Sequence, residues 1–324
     1  MLRASIIITC CNDKYINSLL SDLKNSNFRS NDLEILLVEA GSYSREEALS
    51  ALGEKATLLR FWCIKSASRT KSLNFLIKQS SSNLIIRLDA RTQIAPDYIE
   101  KIIALSDLKK VSNVGGVMLP IGSHQSQKMI AKFMLHPLAL GGGKSRKQGY
   151  SGYVDSIYLG AFRKDLMPPE PWFDESYPQI SEDSDLNLRI RLNGGLVFLE
   201  SSIAARYFVR ETISSFCKLA KNYGVARGLF FLKNKTITNS RQLALPLGLL
   251  LVAILACLAL HSQLALHIFG AVVGIYILMI LTASISLATK FIELYFYFPL
   301  FFLTHLSWTA GFYYALIIFF KKND

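Results

Sequence analysis

The sequence predicts an α/β fold, an open and mostly parallel sheet with helices on both faces, followed by helices that cross a membrane. Three observations predict it. Apolar, β-branched runs alternate with amphipathic stretches through the first part of the chain. Glycine, serine and acidic residues stand at the ends of those runs. Beyond about residue 242 the chain turns apolar over lengths suited to a bilayer.

The elements follow in order. "ASIIIT" is a first strand and "YINSLLSDLKNS" a helix; "LEILLVEAGS" is a second strand and "SREEALSALGEK" a second helix. "ATLLRFWCI" is a third strand, "SRTKSLNFLIKQS" a long helix, and "NLIIRLDA" a fourth strand. Ligands of such sheets bind outside the carboxyl ends of the strands. Thr9, Glu39, Ala40, Gly41 and Asp89 stand at those ends and are site candidates on position alone.

The second half is less regular. "ALGGGKSRKQGYSG" (139–152) is a glycine-rich basic loop, but it has Leu138 where a P-loop needs glycine, and it lacks the flanking strand and helix. "YVDSIYLGAFRKDL" reads as a strand, a tight turn at Gly160 and a helix start. "QISEDSDLNLRIRLNGG" reads as an acid-capped helix with Leu186, Ile190 and Leu192 on its apolar side and a glycine stop.

From Leu243 to Leu260 and from Leu264 to Ala288 there is no Asp, Glu, Lys or Arg. Each stretch suits a hydrocarbon core of roughly 30 Å. Phe291 to Phe320 is interrupted by Glu293, Pro299 and His305 and reads as an interfacial piece leading into a third span, or as one kinked span. Three spans put Lys321 and Lys322 opposite the head; two spans with a re-entrant piece keep them on its side. His305 has a functional reading and a simpler one, a bond to a neighbouring helix. His124 and His136 lack ligand spacing.

The chain carries a net charge of +12. Its basic residues crowd between Arg206 and Arg241, just before the first apolar stretch, as positive-inside topology and anionic lipids favour. A basic cluster abutting a span argues against nucleic acid as partner. "MLRASIIITCCND" reads as a strand rather than a signal peptide, which expects a cytoplasmic head. Five cysteines without paired spacing supply neither a disulfide framework nor a zinc site.

Taken in order, "SIIITCCND", "LLVEAGS", "SRTKSLN", "IIRLDARTQIAPDYI", "VDSIYLGAFRK", "SEDSDLNLRIRLNGG" and "YGVARG" resemble the motifs of the inverting family 2 glycosyltransferases. The likeness is to the membrane-anchored, succinoglycan-type (ExoA-like) group and covers nearly the whole chain. The resemblance implies a GT-A type, Rossmann-like domain over 1–205, with a nucleotide-binding half (1–115) and an acceptor half (116–205). A basic juxtamembrane segment (206–242) and a membrane region (243–320) of two to four segments, three favoured, complete it. It further implies a multi-pass protein of the cytoplasmic membrane and a nucleotide-sugar donor, a UDP-sugar being favoured. The acceptor implied is polyprenyl-linked and used for exopolysaccharide, with membrane lipids and polysaccharide-assembly enzymes as partners.

Residue by residue, the resemblance sets Thr9 and Glu39 against the base and ribose, Glu39 standing where the family has Asp. Arg69 matches an arginine that reaches the nucleotide, or is a surface arginine opening a helix. Asp89 matches the first acid of the DXD motif, which binds Mg²⁺ or Mn²⁺ on the diphosphate, but Arg91 stands where the second ligand belongs and has no lone pair to give. Three readings follow: Asp89 holds the metal with the donor phosphates, Arg91 supplies part of the positive charge, or Asp89 and Arg91 form a turn pair without metal. Asp183 matches the catalytic base, with Glu182 before it and the helix N-terminus keeping it ionised; Asp185 reads as a structural acid. Asp155 and Gly160 fall on the acceptor side, and Tyr223 and Arg227 in an element that closes over acceptor or donor or lies on the membrane surface. Alternative activities are a polyprenyl-phosphate monosaccharide synthase and an inactive nucleotide-sugar-binding scaffold.

Overall fold

The computed structural model describes residues 2–29, 32–139, 143, 146, 149–177, 181–235 and 241–323. They form two compact units, Met1–Ile121 with Gly143–Val209, and Gly122–Gly142 with Arg210–Asp324. Half of the glycine-rich 139–152 loop, and the Gln179–Ile180 lead into the acidic helix, lie outside the described residues.

The first unit starts as the sequence predicts: β1 (Ala4–Cys10), α1 (Ile16–Lys24), β2 (Leu33–Glu39), α2 (Arg45–Leu52), β3 (Leu59–Cys63), α3 (Arg69–Gln79) and β4 (Leu84–Asp89). Local chemistry sets the helix starts. Ser44 and Glu47 form a capping box on α2, and the Ser68 hydroxyl accepts from the Lys71 amide on α3. Then come β5 (Thr92–Ile94), α4 (Tyr98–Lys109) and β6 (Asn113–Ile121). After α5 (Gln125–Leu135), which belongs to the second unit, follow β7 (Gly152–Tyr153), β8 (Ala161–Arg163), α6 (Glu182–Leu192) and β9 (Val197–Phe208).

Among the described residues, nine strands share one sheet, ordered β3-β2-β1-β4-β8-β6-β9-β5, with β7 on β9. The expected parallel run is present in β3-β2-β1-β4. Beyond it the sheet is mixed, because the short β8 enters antiparallel between β4 and β6. Strand alternation sends Ile6, Ile8, Ile35 and Leu37 to one core, and Ile7, Leu36 and Ile85 to another under α3, α6, Trp172 and Phe173. The sequence reading differs at two places. "YVDSIYLGAFRKDL" yields the end of β7, the short β8 and, in place of a helix start, a single 3₁₀ turn at Lys164–Leu166. Leu192 is 74% exposed, because it ends α6 just where Asn193 caps the helix.

The second unit holds α7 (Ile213–Asn234), α8 (Arg241–Ala259), α9 (Gln263–Leu287) and α10 (Leu294–Asn323). Gln242–Ala259, Gln263–Leu287 and Phe291–Lys321 are long and apolar enough to cross a membrane. The basic 206–242 stretch is not one element: Arg206 belongs to β9, opposite Gln93 of β5, while Lys218, Lys221, Arg227 and Lys233 lie on α7. The buried His305 ring bonds the Tyr276 hydroxyl at 3.0 Å and the Leu138 carbonyl at 2.6 Å, which is the simpler of its two readings. A carbonyl only accepts, so Nε2 carries the proton and Nδ1 accepts from Tyr276.

The β6–β9 pairing shifts register after Gly116, where a Cβ would run into the Ile203 carbonyl. Backbone cannot yield as a side-chain tip does. Gly116→Ala is therefore expected to destabilise the protein by about 1–3 kcal/mol, a fall of several degrees in Tm in a thermal unfolding scan. An unchanged Tm would contradict this packing.

Candidate active site

The site is built at the carboxyl end of β4. In a strand, residues two apart face the same way, so Arg87 and Asp89 emerge on the face that carries Ile7 and Ile85. Two helix starts meet them there: Arg69 opens α3, and Glu182 opens α6 after Ser181, which holds a left-handed φ of 68°. The four side chains alternate in sign. Arg87 Nη2 donates to Glu182 Oε1 at 2.7 Å and Arg87 Nε to Asp89 Oδ1 at 3.3 Å. Arg69 pairs with Asp89 Oδ2 through Nη2, and its Nε lies 3.5 Å from Glu182 Oε1.

This closed ring of charge is supported from below. The Arg87 guanidinium lies over the Phe173 ring, 5.4 Å from its centroid. Phe173 is fully buried, and Asn74 of α3 holds its backbone twice, donating to the Phe173 carbonyl at 2.8 Å and accepting from its amide at 3.0 Å. Asp185 bonds Arg189 one turn along α6 at 3.0 Å, and Arg189 donates to the Pro171 and Trp172 carbonyls, so it is structural as expected.

Burial alone would raise the carboxyl pKa values of Asp89 and Glu182. The guanidinium groups outweigh it, holding Asp89 at about 2 and Glu182 below its usual range. Burial likewise opposes both cations, and the carboxylates overcome it. Arg69 is held high by Asp89 and Glu182, and Arg87 by Asp89, Glu182 and Asp183. The two arginines differ in access: the Arg69 side chain is 30% exposed and that of Arg87 only 5%. Arg69 alone of the two can be reached by an incoming anion.

The other candidates divide. Thr9 lies beside Asp89 in register on the next strand. Asp183 is half-buried in the first turn of α6, next to Glu182, and accepts from the Ser184 amide at 2.8 Å. Glu39 does not face that site. It projects on the opposite side of the sheet, fully buried, accepting from the Asn12 amide at 3.0 Å and the Gly41 amide at 2.7 Å. It ties together the loops that follow β1 and β2.

Arg91 does not pair with Asp89. Its Nε donates to Asp13 Oδ2 at 2.7 Å and its Nη1 to the Phe208 and Val209 carbonyls, so the turn-pair reading is replaced by a link from β4 to α1 and β9. Asp155 is exposed and pairs with Arg191 at 3.3 Å. Gly160 is a packing glycine: its carbonyl accepts from the Arg87 amide, and a Cβ there would meet the Asn113 side chain. Tyr223 and Arg227 lie on α7 in the second unit, Tyr223 packed against Ala220, Trp308 and Phe312, and Arg227 near the Phe230 ring.

Sequence reasoning missed two residues. Arg87 interrupts an apolar strand, and that interruption is the signal, since a cation inside a buried strand needs partners. Tyr158 stands two residues before Gly160. Burial, with Asp89 second, pushes its phenol well above the usual range, and its hydroxyl is 3.2 Å from Thr92 Oγ1.

Among the described residues no three His, Cys, Asp or Glu side chains converge as a metal cage. What the site offers is one hard, ionised carboxylate, Asp89, at the strand end. That donor set fits Mg²⁺ or Mn²⁺ when phosphate oxygens and water complete the coordination, the usual pattern for Mg²⁺.

Residues 5–167 match glycosyl transferase family 2. The chain is 26% identical, over 97% of both chains, to the dolichyl N-acetyl-alpha-D-glucosaminyl phosphate 3-beta-D-2,3-diacetamido-2,3-dideoxy-beta-D-glucuronosyltransferase of Methanococcus voltae. It is 24% identical to succinoglycan biosynthesis protein ExoA of Rhizobium meliloti, over 98% of this chain and 96% of that one. Among solved structures, the mannosyltransferase of Pyrobaculum calidifontis, in complex with GDP-Man and Mn²⁺, superposes with a TM-score of 0.62 at 13% identity, covering 97% of this chain and 87% of that one. The expected GT-A type α/β architecture, with apolar helices after it, is thus the one present.

Removing Arg87 would leave two buried carboxylates to share Arg69. Arg87→Met is expected to cost about 3–5 kcal/mol in unfolding experiments. Asp89, depressed to about 2, contributes stability that is full above the unfolded carboxyl range near pH 4 and is lost as pH falls toward 2. In the variant the acid-unfolding midpoint should move to higher pH; an unmoved midpoint would show that Arg87 does not hold Asp89.

Proposed function

Because the chain belongs to glycosyl transferase family 2, we propose that this glycosyltransferase moves a sugar from a nucleotide donor to a polyprenyl-linked saccharide, inverting the anomeric carbon, at the cytoplasmic face of the membrane. The observation that carries this reading is the ring of charge joining β4 to α6. It gathers, in one unit, an ionised acid at a strand end, an accessible arginine and the acidic first turn of a helix.

The chemistry follows from those positions. The leaving group is a diphosphate whose charge grows as the sugar departs, and fixed cations aimed at it stabilise that transition state. Arg69, being the reachable guanidinium, would turn from Asp89 to the phosphates. Arg87, buried on Phe173, would stay and keep Asp89 and Glu182 in place. Asp89 would hold a divalent cation together with donor phosphate oxygens; bound, that ion supplies further positive charge to the leaving group. Asp183, beside Glu182 and stabilised by the N-terminus of α6, would take the proton from the acceptor hydroxyl as it attacks in line. Thr9, on the neighbouring strand end, would contact the nucleoside.

The lipid-linked acceptor is supported by two things. One relative's name specifies a dolichyl phosphate-linked sugar and the other's succinoglycan biosynthesis. The second unit carries the long apolar helices that would hold such an acceptor at the bilayer. A UDP-sugar is the donor to try first.

Detergent-solubilised protein incubated with UDP- and GDP-sugars and polyprenyl-linked acceptors, with and without Mn²⁺, should form one product identifiable by mass. Transfer to bare polyprenyl phosphate would instead make it a monosaccharide synthase, and donor binding with no transfer a scaffold. Asp183→Asn should lower kcat by about 10²–10⁴-fold, the span of general-base catalysis, with donor Kd nearly unchanged; wild-type turnover would refute the base. Arg69→Ala should weaken binding of the nucleoside diphosphate product by about 10- to 100-fold, as roughly 1.5–3 kcal/mol for a charged hydrogen bond implies; unchanged affinity would refute its phosphate contact.

A further inference from the structure

From the packing within the second unit we infer that α10, although long and apolar enough to cross a membrane, lies along its surface. Only α8 and α9 cross, and the C-terminus stays on the side where α8 begins.

The first observation is a level. α8 and α9 form a hairpin around the turn at 260–262, so the start of α8 and the end of α9 lie at the same side of the bilayer. α10 begins a few residues after α9 ends. Tyr313, nineteen residues into α10 and so about 28 Å along it, donates its hydroxyl to the Pro246 carbonyl at 2.6 Å. Pro246 lies in the first two turns of α8. A hydrocarbon core is roughly 30 Å thick. An upright helix crossing it would have carried Tyr313 to the far side, whereas Tyr313 reaches only Pro246, about 21 Å short of the hairpin's turn.

The second observation is α10's companion. α7 runs beside α10 in the same direction: a Cβ at Gly224 would meet the Trp308 carbonyl, one at Gly228 would meet Ala315, and one at Gly311 the Lys221 carbonyl. α7 carries Lys218, Lys221, Arg227 and Lys233, and the Lys221 ammonium lies over the Tyr314 ring. Were 308–315 inside the hydrocarbon, these cations would be drawn in with it, which the bilayer strongly disfavours.

The third is the pair's two faces. α7 turns Ser214, Lys218, Lys221 and Lys233 outward. α10 turns outward Tyr295, Phe302, Leu306, Tyr314, Ile317 and Phe320, every one apolar or aromatic and 47–70% exposed. One helix suits water and phospholipid head groups, the other acyl chains, as interfacial helices do. Lys132 of α5 marks the same boundary by donating to the Leu287 carbonyl at the end of α9. The occupant of α10's outer face is therefore lipid.

The test uses the full-length protein in sealed membrane vesicles of one orientation, with one epitope at the C-terminus and another at the N-terminus of the head. An impermeant protease should remove both epitopes or neither, and swap them together when the vesicles are inverted. Cleavage of one epitope with protection of the other, in any substantial fraction of molecules, overturns the inference. No glycosyl transfer is measured, so the result stands apart from the functional reading.

Discussion

The constraint on which the first unit depends is the pairing of two buried carboxylates with two arginines, Asp89 and Glu182 with Arg69 and Arg87. None of the four tolerates burial alone, because an uncompensated charge in a protein interior is far costlier than an unmade hydrogen bond. Together they are neutral, and they bring three elements from distant parts of the chain to one point: the end of β4 and the starts of α3 and α6. Asn74 and Phe173 stiffen that point from beneath. The acidic turn of α6 is thereby held next to a carboxyl strand end, where ligands bind in open α/β sheets.

That pairing also gives the two arginines different work. Arg87 is sealed over an aromatic ring, and nothing about ligand arrival releases it. Arg69 reaches the surface and has an anionic partner that a phosphate can replace. Pairing Arg69 with Asp89 avoids a buried lone charge, and the proposed role of Arg69 needs only that a phosphate take the place of that acid.

Much of this was legible in the sequence, for physical reasons. β1, β2 and β4 announce themselves because strands buried on both faces are largely apolar, and α2 and α3 carry capping serines where they start. Asp89 follows from its place at a strand end, whereas Asp183 and Arg69 come from the family resemblance. What local pattern could not give is which side chains meet. A pair between Asp89 and Arg91, two residues on, is one of three readings the sequence leaves open, yet the chain turns after Asp89 and delivers Arg91 to Asp13. Glu39 sits at a strand end like Asp89, but one residue of register sends it to the other face of the sheet. Arg87 was hidden inside an apolar run because its partners lie on helices elsewhere in the chain.

The most direct measurement of the central claim is a structure of the protein with a nucleoside diphosphate bound. The account predicts the phosphates within hydrogen-bond reach of Arg69, now turned away from Asp89, while Arg87 still joins Asp89 to Glu182 and the first turn of α6 is unmoved. A nucleotide seated away from the end of β4, with the Arg69–Asp89 pair intact, would contradict it.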